Sequence, residues 1–467
     1  MKQQKIPRML SKNVASAITI NQCKKIAEVV ISTSAVQCRM LSFVQIMVLL
    51  FLLASCQRSI YNTPKTKAAA VKKLTPPEGM IYIPSGTFMY KILNDDKAEQ
   101  RKVTVSAFFI DKTEVTNKQY LAFVNWVADS IAITDYLHDE SFFLPATGAT
   151  VGNGNKEVRL IDWNKVKQIS PLWKNAPLEI KEKLAPMMTM INGVRAPNPA
   201  LMVYRFYYIR MDGVNNNQYV MDTVSIYPHE QVWSTDFPNA QMTVMDANYF
   251  TNKIFEYNPV VGVSWKQARA YADWRSTQLK QMIRNNPDLR NFRLSFNLPT
   301  EAQWQYAAEA KLDPSDTLDH TVKTIIDPKS GKEKLSLNFK QGEGSYASDG
   351  STFTLPVTSY TPNAFGLYNT AGNVSEWTLD AFSPSSSQLV NDLNPALLYD
   401  ATSTDAPLMR RKVLRGGSWK DNGEMLNTDT RNYEDQDAAH SYIGFRCVMA
   451  AFELTSDQVK TRKYAKK

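Results

Sequence analysis

Apolar and polar residues alternate through "GMIYIPSGTFMY" (79–90), interrupted by a Pro-Ser-Gly turn, so this stretch predicts a β-hairpin. The period then changes. "RKVTVSAFFIDKTEVTNKQYLAFVNWV" predicts a strand followed by a helix opened by Thr116, whose hydroxyl can accept from the free N–H groups of a first turn. "NPVVGVSWKQARAYADWRSTQLKQM" predicts a short buried strand, then a helix capped by Ser264, with Trp265, Ala268, Tyr271 and Ala272 at helical spacing. "LPTEAQWQYAAEA" predicts a third helix, with Thr300 as cap and Gln303 at the capping-box position. After Lys311 the chain reads as strands, turns and loops rich in Gly, Ser, Asn and Asp.

Two regions break this rhythm and read as insertions. Residues 128–256 lack a clear period, and residues 276–293 form a charged extension of the second helix. Within the first, "LMVYRFYYIRMDG" (201–213) has the composition of an interface centre, and a buried strand would look the same.

The most apolar run is "LSFVQIMVLLFLLAS" (41–55), followed by Cys56. It is short for a membrane span, which needs about 20 residues, and has the length of a signal h-region. Leu53-Ala54-Ser55-Cys56 matches a bacterial lipobox, with Cys56 as the lipidated residue; the alternative is a buried helix that ends in an ordinary cysteine. Residues 1–55 are therefore read as a lipoprotein signal region, with Met40 as an alternative start. Residues 56–75 read as a flexible tether, 76–452 as a globular body and 453–467 as a basic tail. Gln57 after the lipidated cysteine, with no acidic cluster following, points to the periplasmic face of an outer membrane.

Composition narrows the function classes. The net charge is +9, but residues 1–75 hold 12 of the 54 basic residues and one acid, Glu28, which leaves 42 basic and 44 acidic residues beyond them. A nucleic-acid surface needs clustered positive charge on the folded body, and this body is nearly neutral. Cys23, Cys38 and Cys56 lie at or before the end of the apolar run, so Cys447 stands without a partner and a disulfide framework is not expected. No G-x-S-x-G, P-loop or H-E-x-x-H pattern occurs.

Seven collinear segments carry a family resemblance: "MIYIPSGTFMY", "FFIDKTEVTNKQYLAFV", "NPVVGVSWKQARAYADW", "LPTEAQWQYAAEA", "PVTSYTPNAFGLYNTAGNVSEWTLD", "LRGGSW" and "GFRCVMA". Together they resemble the formylglycine-generating enzyme, or sulfatase-modifying-factor, family. The resemblance implies an α+β fold, a variant of the C-type-lectin fold with little regular secondary structure, small antiparallel sheets and a few helices. It also implies structural calcium at two loops. One set of ligands would be the Asn369 and Glu376 side chains with the Gly372 and Val374 carbonyls; the other would be the Asn338 and Asp349 side chains with the Phe339 and Ser351 carbonyls.

In the oxidases of this family two cysteines after the "RGGS" segment bind copper. Their positions here are Asp421 and Leu426, and neither supplies the thiolate that Cu(I) prefers. A branch that uses non-haem iron needs three clustered histidines, whereas His138, His229, His320 and His440 are isolated in sequence. Copper, iron and nucleotide chemistry are not expected, and Cys447 reads as a core residue. With the lipobox, both insertions and the "WRSTQL" extension, the sequence is similar to the GldK/PorK type of gliding-motility lipoprotein, the GldJ type being second. That similarity implies a non-catalytic ring scaffold of a type IX secretion system. The scaffold would self-associate under the outer membrane and bind a periplasmic partner of the PorN/GldN type. The alternative is a lectin-like module for glycan or peptide.

Overall fold

The computed structural model describes residues 72–454, except 74, 95–96, 146–158, 212–217, 285, 287–288, 290–293, 310–323, 327–330, 332, 345, 349 and 452. The apolar run, Cys56 and the basic tail beyond Leu454 lie outside the described residues. Among the described residues no helix is long and apolar enough to cross a membrane.

The elements that position the site are, in chain order, β1 (Met80–Ile83), β2 (Gly86–Asn94), β3 (Lys97–Val105), β4 (Phe108–Asp111) and α1 (Asn117–Ile131). The long hairpin β5 (Val203–Arg210) and β6 (Gln218–Ser225) precedes α2 (Trp265–Ile283), β7 (Phe296–Asn297) and α3 (Glu301–Glu309). The last strands are β8 (Ser375–Ala381), β9 (Arg411–Arg415), β10 (Asn432–Asp435), β11 (Ile443–Gly444) and β12 (Val448–Ala450). One antiparallel sheet has the order β7-β12-β4-β1, and a second has the order β10-β9-β8-β11, in which β8 and β11 run parallel. The architecture is mixed α+β with small, mostly antiparallel sheets.

Each predicted helix start is present with its reciprocal cap. Gln119 N–H donates to Thr116 Oγ1 at 3.2 Å and Thr116 N–H to Gln119 Oε1 at 2.9 Å. Ser264 with Gln267, and Thr300 with Gln303, repeat the arrangement. The capped helices α1 and α2 meet through Tyr120 and Tyr271, stacked at 5.6 Å, with Phe445 edge-on to both.

Two strand predictions need correction. Residues 79–90 are not one hairpin: β1 pairs with β4, and β2 pairs antiparallel with β3. The Pro84-Ser85 step marks a change of sheet. The buried run at Val260, Val261 and Val263 forms only an isolated bridge, Pro259 to Thr116, because Gly262 takes φ +71° and turns the backbone. In the 201–213 segment the described residues form a strand with one buried and one exposed face. Tyr204 and Phe206 are buried, while Tyr207 and Ile209 point outward.

Candidate functional site

β8 carries Glu376 inward, and the chain between β11 and β12 places Arg446 against it. Both side chains are essentially unexposed. Arg446 Nε and Nη2 donate to Glu376 Oε2 and Oε1, each at 2.6 Å, and Trp304 Nε1 from α3 donates to Oε2 at 2.8 Å. The guanidinium also donates to the Asp111, Lys112 and Tyr368 carbonyls, so one residue ties β8 to the end of β4 and to the loop before β8.

Glu114 lies beside this pair, fully buried. Its oxygens accept from Asn373 Nδ2 at 2.9 Å and Asn369 Nδ2 at 3.0 Å. Burial pushes its carboxyl up to about 7, against the pull of Arg446 and with a further push from Glu376. Asn373 Oδ1 accepts from Asn338 Nδ2 at 3.1 Å and from Leu355 N–H at 2.9 Å. Glu114, Asn373 and Arg446 are thus the hub of the site, and the sequence reading did not single them out as site residues. The "GFR" strand was the available signal: an arginine between core residues needs a buried carboxylate.

The loops that carry the described members of the two ligand sets are joined by hydrogen bonds between Asn338 and Asn373. Asn369 Nδ2 is held by Glu114 and by the Val357 carbonyl. Gly372 abuts the Asn338 carbonyl, which also accepts from Asn373 N–H at 2.9 Å. Val374 is buried in an apolar cluster with Trp233 and Trp419. Phe339 is buried, Ser351 Oγ donates to the Phe353 carbonyl at 3.0 Å, and Asp349 lies outside the described residues. Glu376 gives both oxygens to Arg446 and Trp304, so a divalent cation would sit beside a guanidinium that already balances it. The first set therefore does not fit calcium in this arrangement. Among the described residues no group of three or more His, Cys, Asp or Glu could hold a metal ion.

The copper positions do not fit their metal either. Asp421 Oδ2 accepts from Ser418 Oγ at 2.6 Å, and Lys420 Nζ lies 3.2 Å from Oδ1. Leu426 is buried against Gly417, where a Cβ would come 2.7 Å from Leu426 Cδ2. Cys447 is fully buried, and burial pushes its thiol up to about 12, which leaves it inert.

A second buried network joins α3 to the second sheet. Arg431 pairs with Glu301 through Nε at 2.6 Å and Nη2 at 2.9 Å, and Asp380 accepts from the Glu301 and Leu397 N–H groups, each at 2.8 Å. Burial, reinforced by the charge of Glu301, pushes Asp380 from 3.8 up to about 7. A raised carboxyl contributes stability that is complete below its unfolded value and lost as pH rises through the folded one. Asp380→Asn should thus flatten the fall in unfolding free energy between pH 4 and 7 by about 2–4 kcal/mol. Denaturant titrations across that range check the slope; an unchanged slope would refute the assignment.

His440, isolated in sequence, is not isolated in space. Its Nδ1 lies 2.6 Å from Asp236 Oδ1 and its Nε2 lies 3.3 Å from Glu434 Oε2. Burial opposes its protonation, but the hydrogen bonds that the imidazole donates to Asp236 and Glu434 hold it up to about 9.

A family model described as the sulfatase-modifying factor enzyme 1-like domain matches residues 65–451. A formylglycine-generating enzyme of Streptomyces coelicolor is 34% identical over 205 residues, 43% of this chain and 54% of that enzyme. One of Thermomonospora curvata is 25% identical over 79% of this chain and 93% of its own length. An inactive Cα-formylglycine-generating enzyme 2 of Bos taurus is 31% identical over 203 residues, 41% of this chain and 50% of that protein. Among solved structures, PvdO from Pseudomonas aeruginosa aligns over 81% of this chain and 98% of its own at 17% identity and a TM-score of 0.41.

Proposed function

The chain belongs to the sulfatase-modifying factor enzyme 1-like domain family, and on that footing we propose that it is a non-catalytic member serving as a lipid-anchored scaffold. One observation carries the reading. The positions that would hold the family's two copper thiols are Asp421, tied to Ser418, and Leu426, packed into the core. Neither can bind Cu(I) or form a mixed disulfide with a substrate thiol. A family that includes relatives named as inactive supports this.

The scaffold is of the type IX secretion and gliding-motility kind, anchored through acylated Cys56 at the periplasmic face of an outer membrane, self-associating in a ring with a PorN/GldN-type partner. The insertions support this role, because loops added to a rigid core are a usual route to new interfaces. The first insertion presents Tyr207, Ile209, Tyr219 and Met221 outward on the β5–β6 hairpin.

The test is the mass of the native assembly taken from membranes in mild detergent. A particle many times the 52.9 kDa chain, with a near-stoichiometric soluble partner, is the expected result. A particle of one chain's mass would overturn the ring. Cys56→Ser should move the protein from the membrane to the soluble fraction, and retention on the membrane would overturn the anchor. Incubation with a cysteine peptide and Cu(I) should yield no formylglycine; product would overturn the non-catalytic reading.

A further inference from the structure

The tether and the basic tail meet at one place on the body. Lys72–Lys73, where the tether reaches the body, pairs antiparallel with Glu453–Leu454, where the body gives way to the tail. Lys72 stands opposite Leu454 and Lys73 opposite Glu453. Just before that pair, Ala451 N–H donates to the Ala107 carbonyl at 3.2 Å, which fixes the root of the tail beside the start of β4.

Charge is sorted in the same way. Residues 455–467 carry five basic residues, Lys460, Arg462, Lys463, Lys466 and Lys467, and one acid, Asp457. Residues 57–73 carry five more, Arg58, Lys65, Lys67, Lys72 and Lys73, and no acid. With the tail set aside, residues 76–454 hold 37 basic and 43 acidic residues, a balance of −6. Positive charge is therefore withdrawn from the body and gathered on two segments that share one root. Basic clusters of this size, close to a membrane anchor, are drawn to anionic lipid.

Chain geometry sets the reach. Sixteen positions separate Cys56 from Lys72, which keeps the shared root within roughly 55 Å of a bilayer that holds Cys56. The thirteen residues of the tail span up to roughly 45 Å. The tail thus reaches that surface at all but the longest extensions of the tether.

We propose that the basic tail binds the anionic phospholipid headgroups of the membrane that holds Cys56, as a second, electrostatic attachment at the base of the body. The paired root couples the two attachments, because whatever holds the tether at the bilayer also holds the tail there at high effective concentration. A lipid chain with a basic segment is a two-signal anchor, and a second contact at the same root sets which end of the body faces the membrane. The inference rests on the lipid-anchor reading for the identity of the membrane, not for the affinity of the tail for anionic lipid.

The test is sedimentation of the full Cys56→Ser chain, which lacks the acyl group, with two kinds of vesicle. One is phosphatidylcholine alone; the other is phosphatidylcholine with an equal part of phosphatidylglycerol. The anionic vesicles should bind about a hundredfold or more tighter, and that excess should shrink as salt is raised. Lys460→Gln, Arg462→Gln, Lys463→Gln, Lys466→Gln and Lys467→Gln together should weaken binding to the anionic vesicles about tenfold or more. Binding to the neutral vesicles should not change, since the apolar run is the same in both chains, and an unchanged melting temperature shows that the fold is intact. Equal binding to the two kinds of vesicle would place the tail on the acidic body and overturn the proposal. An excess undiminished by the five substitutions would assign it to the tether and overturn the proposal as well. Neither result depends on whether Cys56 is acylated in cells, which membrane fractionation reads separately.

Discussion

Arg446→Met should lower the unfolding free energy by about 3–5 kcal/mol, the range for a buried ion pair that loses one partner. Methionine fills much of the volume, so the loss is electrostatic. Glu376 would keep a desolvated charge with only Trp304 as a donor, and the Asp111, Lys112 and Tyr368 carbonyls would lose theirs. Pairing the substitution with Glu376→Gln removes the stranded charge and should recover part of the loss. Denaturant unfolding of the four proteins measures the coupling. A loss below about 1 kcal/mol for Arg446→Met would show that the pair is not what ties β8 to β4. The same experiment decides the calcium question. Since Arg446 already balances Glu376, Glu376→Ala should destabilise equally with and without calcium. A larger loss in calcium would return the ion to this loop.

The parts of the fold legible in sequence were those with local causes. Thr116, Ser264 and Thr300 could be read as caps because the donor and acceptor sit within three residues of each other. Cys447 could be read as core from its place in an apolar strand. The failures had non-local causes. Whether residues 79–90 close as a hairpin depends on β4, some 25 residues later, which takes β1 into its own sheet. His440 looked isolated because Asp236 is 204 positions away. Glu114 was passed over for the same reason, its partners Asn369 and Asn373 being 255 and 259 residues on. The resemblance pointed to loops that Arg446, Glu114 and Asn373 also tie together, through hydrogen bonds to residues far away in the chain.

Gly372→Ala provides the second large effect and separates two reasons for a glycine in that loop. As a carbonyl ligand Gly372 needs no special side chain, because alanine presents the same carbonyl. As a packing position it needs glycine twice over. Its φ is +78°, where a Cβ is strained, and that Cβ would stand 2.4 Å from the Asn338 carbonyl oxygen. The oxygen is backbone and accepts from Asn373 N–H at 2.9 Å, so it cannot retreat without breaking the join between the two loops. Gly366 is the control: its φ is +91°, yet nothing lies within 4 Å of a Cβ there. Gly366→Ala should cost about 1–2 kcal/mol from backbone strain alone, and Gly372→Ala about 3 kcal/mol or more. Equal losses in denaturant unfolding would mean that the Asn338 turn yields. The contact between the loops would then be a consequence of the Arg446 cross-link, with no independent part in holding the site together.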